Sequence, residues 1–232
     1  MAAVELALMK SPVVARPVLT RAEGALIRRL RTPDAVQAWL NALDYNVERG
    51  GATLRSFRGV VRTQSAHCLE AALFAAVVLE QHGYAPLVMS LESQDNLDHV
   101  IFVYRANGRW GSVARSRDPG LHGRTPVFAT IRGLAYSYVE PYVDYTGRVR
   151  GYGVANLATA MGRYDWRWAE QNVWKVEQVL IDWPHVKLPT STARYRQLKK
   201  WYRAYHESNG GRKPVDYKGR EKWSPLPDEF AS

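Results

Sequence analysis

The segment Gln64–Tyr84, QSAHCLEAALFAAVVLEQHGY, constrains the fold more than any other. From about His67 to His82 it has the length and composition of a helix. Leu69, Leu73, Ala76, Val77 and Leu79 cover more than one face, and the small Ala71, Ala72 and Ala75 fill most of the rest. A helix that is apolar almost all round has no face to give to water, so it must lie inside a core. Gly83 marks where it stops. A chain of 232 residues, 46% of them hydrophobic, is long enough to build one such core around it.

The flanking segments supply the material that encloses it. APLVMSLE, from Ala85, reads as a strand. HVIFVYR and WGSVARS flank the strongest hairpin signal in the chain: Asn107-Gly108 suits a two-residue type I′ turn, which pairs Ala106 with Arg109. Upstream, TPDAVQAWLNALDYN reads as an amphipathic helix. Thr32 is its cap, Pro33 suits the first helical position, Asp34 favours the N-terminal dipole, and Val36, Trp39, Leu40 and Leu43 form its apolar stripe. Arg21–Arg31 reads as a short helix behind an irregular arm over residues 1–20, and ERGGATLRSFRGVVRTQ reads as a loop. Downstream, RVRGYGVANL reads as a strand, helices are expected near Ala169–Trp183 and Thr192–His206, and GGRKPVDYKGREKWSPLPDEF reads as an extended tail. Helix, then strands in meander order, then helices is the pattern of an α+β fold with an antiparallel sheet. Two units are expected: residues 1–190, a core with an N-terminal helical lead, and residues 191–232, a basic helix and tail packed on or beside it.

Cys68 is the only cysteine, and it stands at the mouth of the buried helix. Free cysteine is often no more than a small buried hydrophobe. At a helix N-terminus, however, the positive end of the dipole favours thiolate. A nucleophile also needs a base oriented by a third group. His67 is adjacent, but neighbours on a helix do not face each other, which makes it a poor base. His99, opening the first strand of the hairpin, is the better candidate. Counting outward from the turn puts Ser116 opposite His99, with Ala114 and Asp118 as diagonal neighbours. Asp118 is the one of that pair with a carboxylate, and Ser116 is a weaker orienting candidate. Gln64 and the backbone N–H of Cys68 are candidate donors to an oxyanion. His122 reads as a loop residue. No metal-ligand spacing and no phosphate-binding glycine loop is present, so neither a metal nor another cofactor is expected.

A cysteine at the start of a buried helix, a following strand, and a histidine opening a strand–turn–strand resemble the transglutaminase-like superfamily of papain-type fold. The likeness covers roughly Asp34 to Asp118. HCLEAALFAAVVLEQHGYAPLVMSL is similar to the family's Cys helix and next strand, and DHVIFVYRANGRW to its His strand. The resemblance implies a Cys-His-Asp triad in that chain order, with Cys68 as nucleophile, His99 as base and a papain-like α+β core. Ala114 stands where the family's acid usually falls, so either the acid comes from Asp118, or Ser116 plays a weaker orienting role, or the triad is incomplete. His67 departs from the small residues that usually precede the cysteine. The implied chemistry is acyl transfer, as a thiol protease or amidase hydrolysing peptide-like amide bonds or as a transamidating acyltransferase. Hydrolysis is favoured because no sequence sign of a second, water-excluding amine site exists. The alternative is a catalytically inactive domain of the same fold that binds protein, peptide or nucleic acid.

The formal net charge is +10, and it is uneven: Ser191–Lys222 carries ten Lys and Arg against three Asp and Glu. A basic helix and tail of this kind suits contact with polyanions, although a solvated helix face is the more ordinary cause. No run of eighteen apolar residues exists, and the apolar stretch near the N-terminus has no basic residues ahead of it. Neither a membrane-spanning helix nor a signal peptide is therefore expected. A lone thiol fits a reducing, cytoplasmic setting.

Overall fold

The computed structural model describes residues 19–95 and 98–230. Of the irregular arm expected over residues 1–20, all but the last two residues lie outside the described residues.

Two capped helices lead in. Helix α1 (Arg21–Arg29) starts with a capping box, in which Thr20 Oγ1 accepts from the Glu23 N–H and the Glu23 carboxylate accepts from the Thr20 N–H. Helix α2 (Pro33–Asn41) begins where the sequence places it, with Thr32 Oγ1 accepting from the Ala35 N–H at 3.2 Å. The segment expected to be one loop instead contains helix α3 (Phe57–Thr63), capped by Ser56. Seven residues are too few to hold a helix alone. Phe57 and Val60, fully buried beside the central helix, stabilise this one by packing.

That central helix, α4, runs Cys68–Glu80, and every residue from Leu69 to Leu79 is buried. Trp39 of α2 stacks on Phe74 with ring centroids 4.3 Å apart, and Phe57 of α3 lies 5.4 Å from the same ring. One face of an antiparallel sheet closes the remaining side. Gly83, at φ +89°, ends the helix in the left-handed region that glycine tolerates.

The six strands are β3 (Leu87–Ser93), β4 (His99–Ala106), β5 (Arg109–Val113), β6 (Arg124–Phe128), β7 (Val149–Asn156) and β8 (Val186–Lys187). Their spatial order is β6-β5-β4-β3-β7-β8, every neighbouring pair antiparallel. Side chains alternate between two cores. Val88, Phe102, Tyr104 and Val113 join the α4 core. Met89, Ile101, Val103 and Trp110 join a second core with Ile131, Leu134 and Ala135 of helix α5 (Ile131–Tyr136). Burial on both faces explains why HVIFV reads as a continuous apolar run rather than an alternating one. The α+β class expected from the sequence is observed.

The hairpin has the expected turn. Asn107 and Gly108 both take positive φ, +49° and +75°, and Ala106 pairs with Arg109. The ladder stops at Phe102–Val113, however, so Ser116 does not come to lie across from His99. The cause is Gln37 of α2. Its side-chain amide takes both backbone groups of Ala114, accepting from the N–H at 2.9 Å and donating to the carbonyl at 2.8 Å. The strand is thereby capped one residue after it leaves the sheet.

A short parallel pair, β1 (Asp44–Tyr45) with β2 (Ser65–Ala66), ties the chain before α3 to the entrance of α4. The helix expected near Ala169–Trp183 contracts to α7 (Lys175–Ile181), after the single turn α6 (Leu157–Ala160). Helix α8 (Thr192–Ser208) buries Leu198 and Tyr202 and exposes Arg194, Arg196, Lys200 and Arg203. The tail after it is packed: Trp223 is buried and forms a backbone bridge with Arg124. No helix among the described residues is long and apolar enough to cross a membrane.

Candidate active site

Cys68 is the first residue of α4 and lies at the floor of a cleft of about 580 Å³. The residue is half-buried, touching solvent through the cleft. Burial is the largest influence on its thiol and pushes the pKa up. Hydrogen bonds from His67 and then His99, with the charges of both rings, outweigh it and bring the thiol down to about 5.

The sequence makes His67 a poor base because residues adjacent on a helix point apart. That premise fails here, since His67 is not in the helix. It is the N-cap, with extended backbone at φ −87° and ψ −179°, and its ring turns back over the helix start. Nδ1 accepts from the Leu69 N–H at 3.2 Å, Nε2 meets the Thr53 carbonyl at 2.9 Å, and the ring hydrogen-bonds the Cys68 thiol. Burial disfavours a charged His67, but Cys68 and Glu70 favour it more strongly and raise its pKa to about 9. Protonation converts Nδ1 from acceptor to donor, which releases the Leu69 N–H. Glu70 completes the capping box by accepting from the His67 backbone N–H at 3.1 Å. Its fully buried carboxylate also accepts from the Asn46 side chain, the Thr53 hydroxyl and the Arg55 N–H, at 2.9, 2.8 and 2.9 Å. The spacing of His67 and Glu70, three apart at a helix start, is the signal that betrays this role in the sequence.

His99 is buried, and its Nε2 lies 2.8 Å from the carbonyl oxygen of Leu121. A carbonyl only accepts, so Nε2 carries the hydrogen and Nδ1 is left for the thiol. Leu121 belongs to a 3₁₀ turn, Pro119–Leu121, just past the hairpin. The acid expected on His99 is therefore not Asp118. Its carboxylate pairs with the Lys213 ammonium and lies 3.8 Å from Arg117 Nε. The expected geometry assumed a ladder running on to Ser116, and the ladder ends three residues earlier. Ser116 orients the loop rather than the imidazole: its hydroxyl accepts from the Asp118 N–H at 3.1 Å, and its carbonyl accepts from His122 Nε2 at 2.8 Å. Ser116 and Asp118 both line the cleft wall. His122 lies in a loop as expected but is wholly buried, and burial, then Arg115, lowers its pKa to about 3.

Gln64 does not reach the cleft. It ends α3 in the left-handed region at φ +52°, exposed, with its side chain donating to the Val61 carbonyl at 2.6 Å. Beside the thiol stands instead the hydroxyl of Tyr45, which accepts a hydrogen bond from the Cys68 backbone N–H. Burial and the neighbouring thiol hold this phenol well above its usual range, so it keeps its proton. Tyr45 arrives there through the β1–β2 pairing, which sets it beside Ala66.

The cleft walls combine distant segments. Tyr142, Trp174, Tyr202 and Tyr217 supply aromatic surface, the last two from the C-terminal region. Six carboxylates, Glu48, Asp95, Asp98, Asp118, Asp144 and Glu177, line the cleft against Arg117 and Lys213, so it is more acidic than the basic chain that surrounds it. Among the described residues no group of three or more His, Cys, Asp or Glu side chains is placed to hold a metal ion. No protein-family model matches this chain, and no curated protein matches it.

Proposed function

We propose that the protein is a cysteine-nucleophile acyl-transfer enzyme of the transglutaminase-like, papain-type class that hydrolyses peptide-like amide bonds. One observation carries this reading: a thiol held at about pKa 5 between two imidazoles, at a helix N-terminus on the floor of an open cleft. A merely structural cysteine has no need of that surrounding. The antiparallel sheet packed on the Cys-bearing helix is the arrangement that class uses.

In the proposed reaction His99 Nδ1 takes the thiol proton, and His67 serves as the standing counter-charge to the thiolate. Cys68 Sγ attacks the amide carbon. The carbonyl electron pair moves onto oxygen, where the Tyr45 O–H donates to it. The oxyanion collapses, the C–N bond breaks, and the amine leaves with the proton from His99. Water then attacks the thioester, gives a proton to His99, and releases the acid with the thiol restored. The acidic, aromatic-walled cleft favours amides that carry a positive charge near the scissile bond.

The test is turnover of a fluorogenic library of short Lys- and Arg-containing peptide amides. Turnover is expected to vanish in Cys68→Ala and to drop at least a hundredfold in His99→Ala. Turnover that survives Cys68→Ala refutes the reading. Among the described residues no carboxylate is hydrogen-bonded to His99, which favours the second reading, an inactive domain that binds a peptide in the same cleft. Saturable binding of those peptides without turnover, together with an ordinary thiol pKa near 8.5, would establish it.

A further inference from the structure

The buried guanidinium of Arg124 has no carboxylate partner among the described residues. Burying a cation without a counter-charge is costly unless its donors are well used. Here they grip one short loop. Nη2 donates to the Gly120 carbonyl at 2.7 Å and Nη1 to the His122 carbonyl at 2.7 Å. Those carbonyls flank Leu121 on both sides, and the Leu121 carbonyl is the one that holds His99. Ser137 fixes the rest of the guanidinium through its hydroxyl at 3.2 Å and its carbonyl at 3.2 Å. The face of the Tyr138 ring lies 4.0 Å from it.

The Trp223 ring lies 4.8 Å from the same guanidinium and comes from a part of the chain about a hundred residues later. The C-terminal segment touches the same loop repeatedly. The Ser224 N–H donates to the Gly123 carbonyl at 3.0 Å, and the Lys222 carbonyl accepts from the Thr125 hydroxyl at 3.0 Å. Lys213 pairs with Asp118, Glu229 meets Arg115 at 2.8 Å, and Phe230 packs edge-on to His122. A side chain at Gly123 would strike Gln37, the residue that ends the hairpin ladder, so the loop is confined from that side as well.

We infer that Arg124, clamped by Trp223 of the C-terminal segment, is the positioning residue that does for His99 what a triad carboxylate does elsewhere. It fixes the Leu121 carbonyl, the carbonyl fixes the Nε2–H tautomer, and the tautomer presents Nδ1 to Cys68. A neutral carbonyl orients the ring without contributing the negative charge of an acid. The second imidazole, His67, then supplies electrostatic support for the thiolate that the relay lacks. The inference rests on His99 being the base, and it assigns a task to a segment that lies outside the sequence resemblance.

The experiment uses full-length protein with ¹⁵N-labelled histidine, in wild type and in Arg124→Lys, Trp223→Ala and Trp223→Phe. Two readouts are taken: the His99 tautomer from ring nitrogen shifts, and the pH profile of Cys68 alkylation by iodoacetamide. Arg124→Lys keeps the charge but loses the planar fork. It and Trp223→Ala are expected to give a mixed His99 tautomer and about a tenfold slower alkylation at pH 6, as the thiol pKa rises by about two units. Trp223→Phe, which keeps an aromatic face over the guanidinium, is expected to restore both. Near-UV circular dichroism checks folding, and Trp223→Ala carries the test if Arg124→Lys does not fold. A pure Nε2–H tautomer and an unchanged profile in the folded variants overturn the inference. An ordinary wild-type thiol pKa would instead sink the enzymatic reading, while the tautomer measurement still decides the positioning role.

Discussion

Replacing His67 with Asn separates two tasks that the imidazole performs in different protonation states, capping the helix when neutral and carrying a positive charge when protonated. Asn is among the best N-caps, so it can accept the Leu69 N–H, which lies 3.2 Å from His67 Nδ1 and is released when that ring is protonated. It cannot carry a positive charge. The Cys68 thiol, at about 5, lies roughly three and a half pH units below an ordinary thiol, which is ~5 kcal/mol in favour of thiolate. His67 is the largest of the influences that lower it, and His99 comes next. Losing roughly half of the stabilisation moves the thiol to about 7. At pH 6 the thiolate fraction then falls from ~0.9 to ~0.1, and alkylation by iodoacetamide slows about tenfold. The two limbs also separate. In wild type the thiolate protonates as pH falls through about 5, and the His67 imidazolium deprotonates as pH rises through about 9. Turnover should therefore be bell-shaped between those values, which belong to the coupled pair rather than to either residue alone. In His67→Asn the alkaline limb set by His67 disappears and the acid limb moves up. The assay is alkylation rate against pH from 4 to 10, with thermal melting to check that the cap survives. A folded variant that keeps the wild-type alkylation profile refutes the role assigned to His67.

Tyr45→Phe is expected to lower kcat by one to three orders of magnitude with little change in KM, while Gln64→Ala leaves both unchanged; the reverse pattern would return the oxyanion role to Gln64. Asp118→Asn should leave the thiol pH profile intact, because the carboxylate pairs with Lys213 and not with His99; an upward shift of the thiol would reinstate it as the acid. Thiol reagents of opposite charge should separate, a cationic methanethiosulfonate reacting at least tenfold faster than an anionic one relative to free cysteine, with the gap closing in high salt. Equal ratios would remove the case for cationic substrates. Leu73→Ala, in the fully enclosed middle of α4, should cost about 3 kcal/mol in urea unfolding, and a loss under 1 kcal/mol would mean that the helix is less tightly enclosed than its burial indicates.

Features that depend on neighbouring residues were legible in the sequence. The buried helix is a property of one continuous stretch, because apolar positions all round leave no exposed face wherever the helix sits. The Asn107-Gly108 turn is set by which residues tolerate positive φ, and Thr32-Pro33-Asp34 writes a helix start within three positions. Cys68 at a helix mouth followed from the same local grammar. What the sequence could not show depends on contacts between distant segments. Gln37 ends the hairpin ladder across 77 residues of chain by taking both backbone groups of Ala114, and that single clasp moves Ser116 and Asp118 off His99. Tyr45 reaches the thiol through strand pairing, and Trp223 reaches Arg124 through the folding-back of the tail. The partner of His99 is a backbone carbonyl, a group every residue possesses, so no side chain in the sequence marks it. Which carbonyl meets the ring was decided by the tertiary structure alone, because only the packed loop, held by a buried guanidinium, brings Leu121 to within 2.8 Å of Nε2.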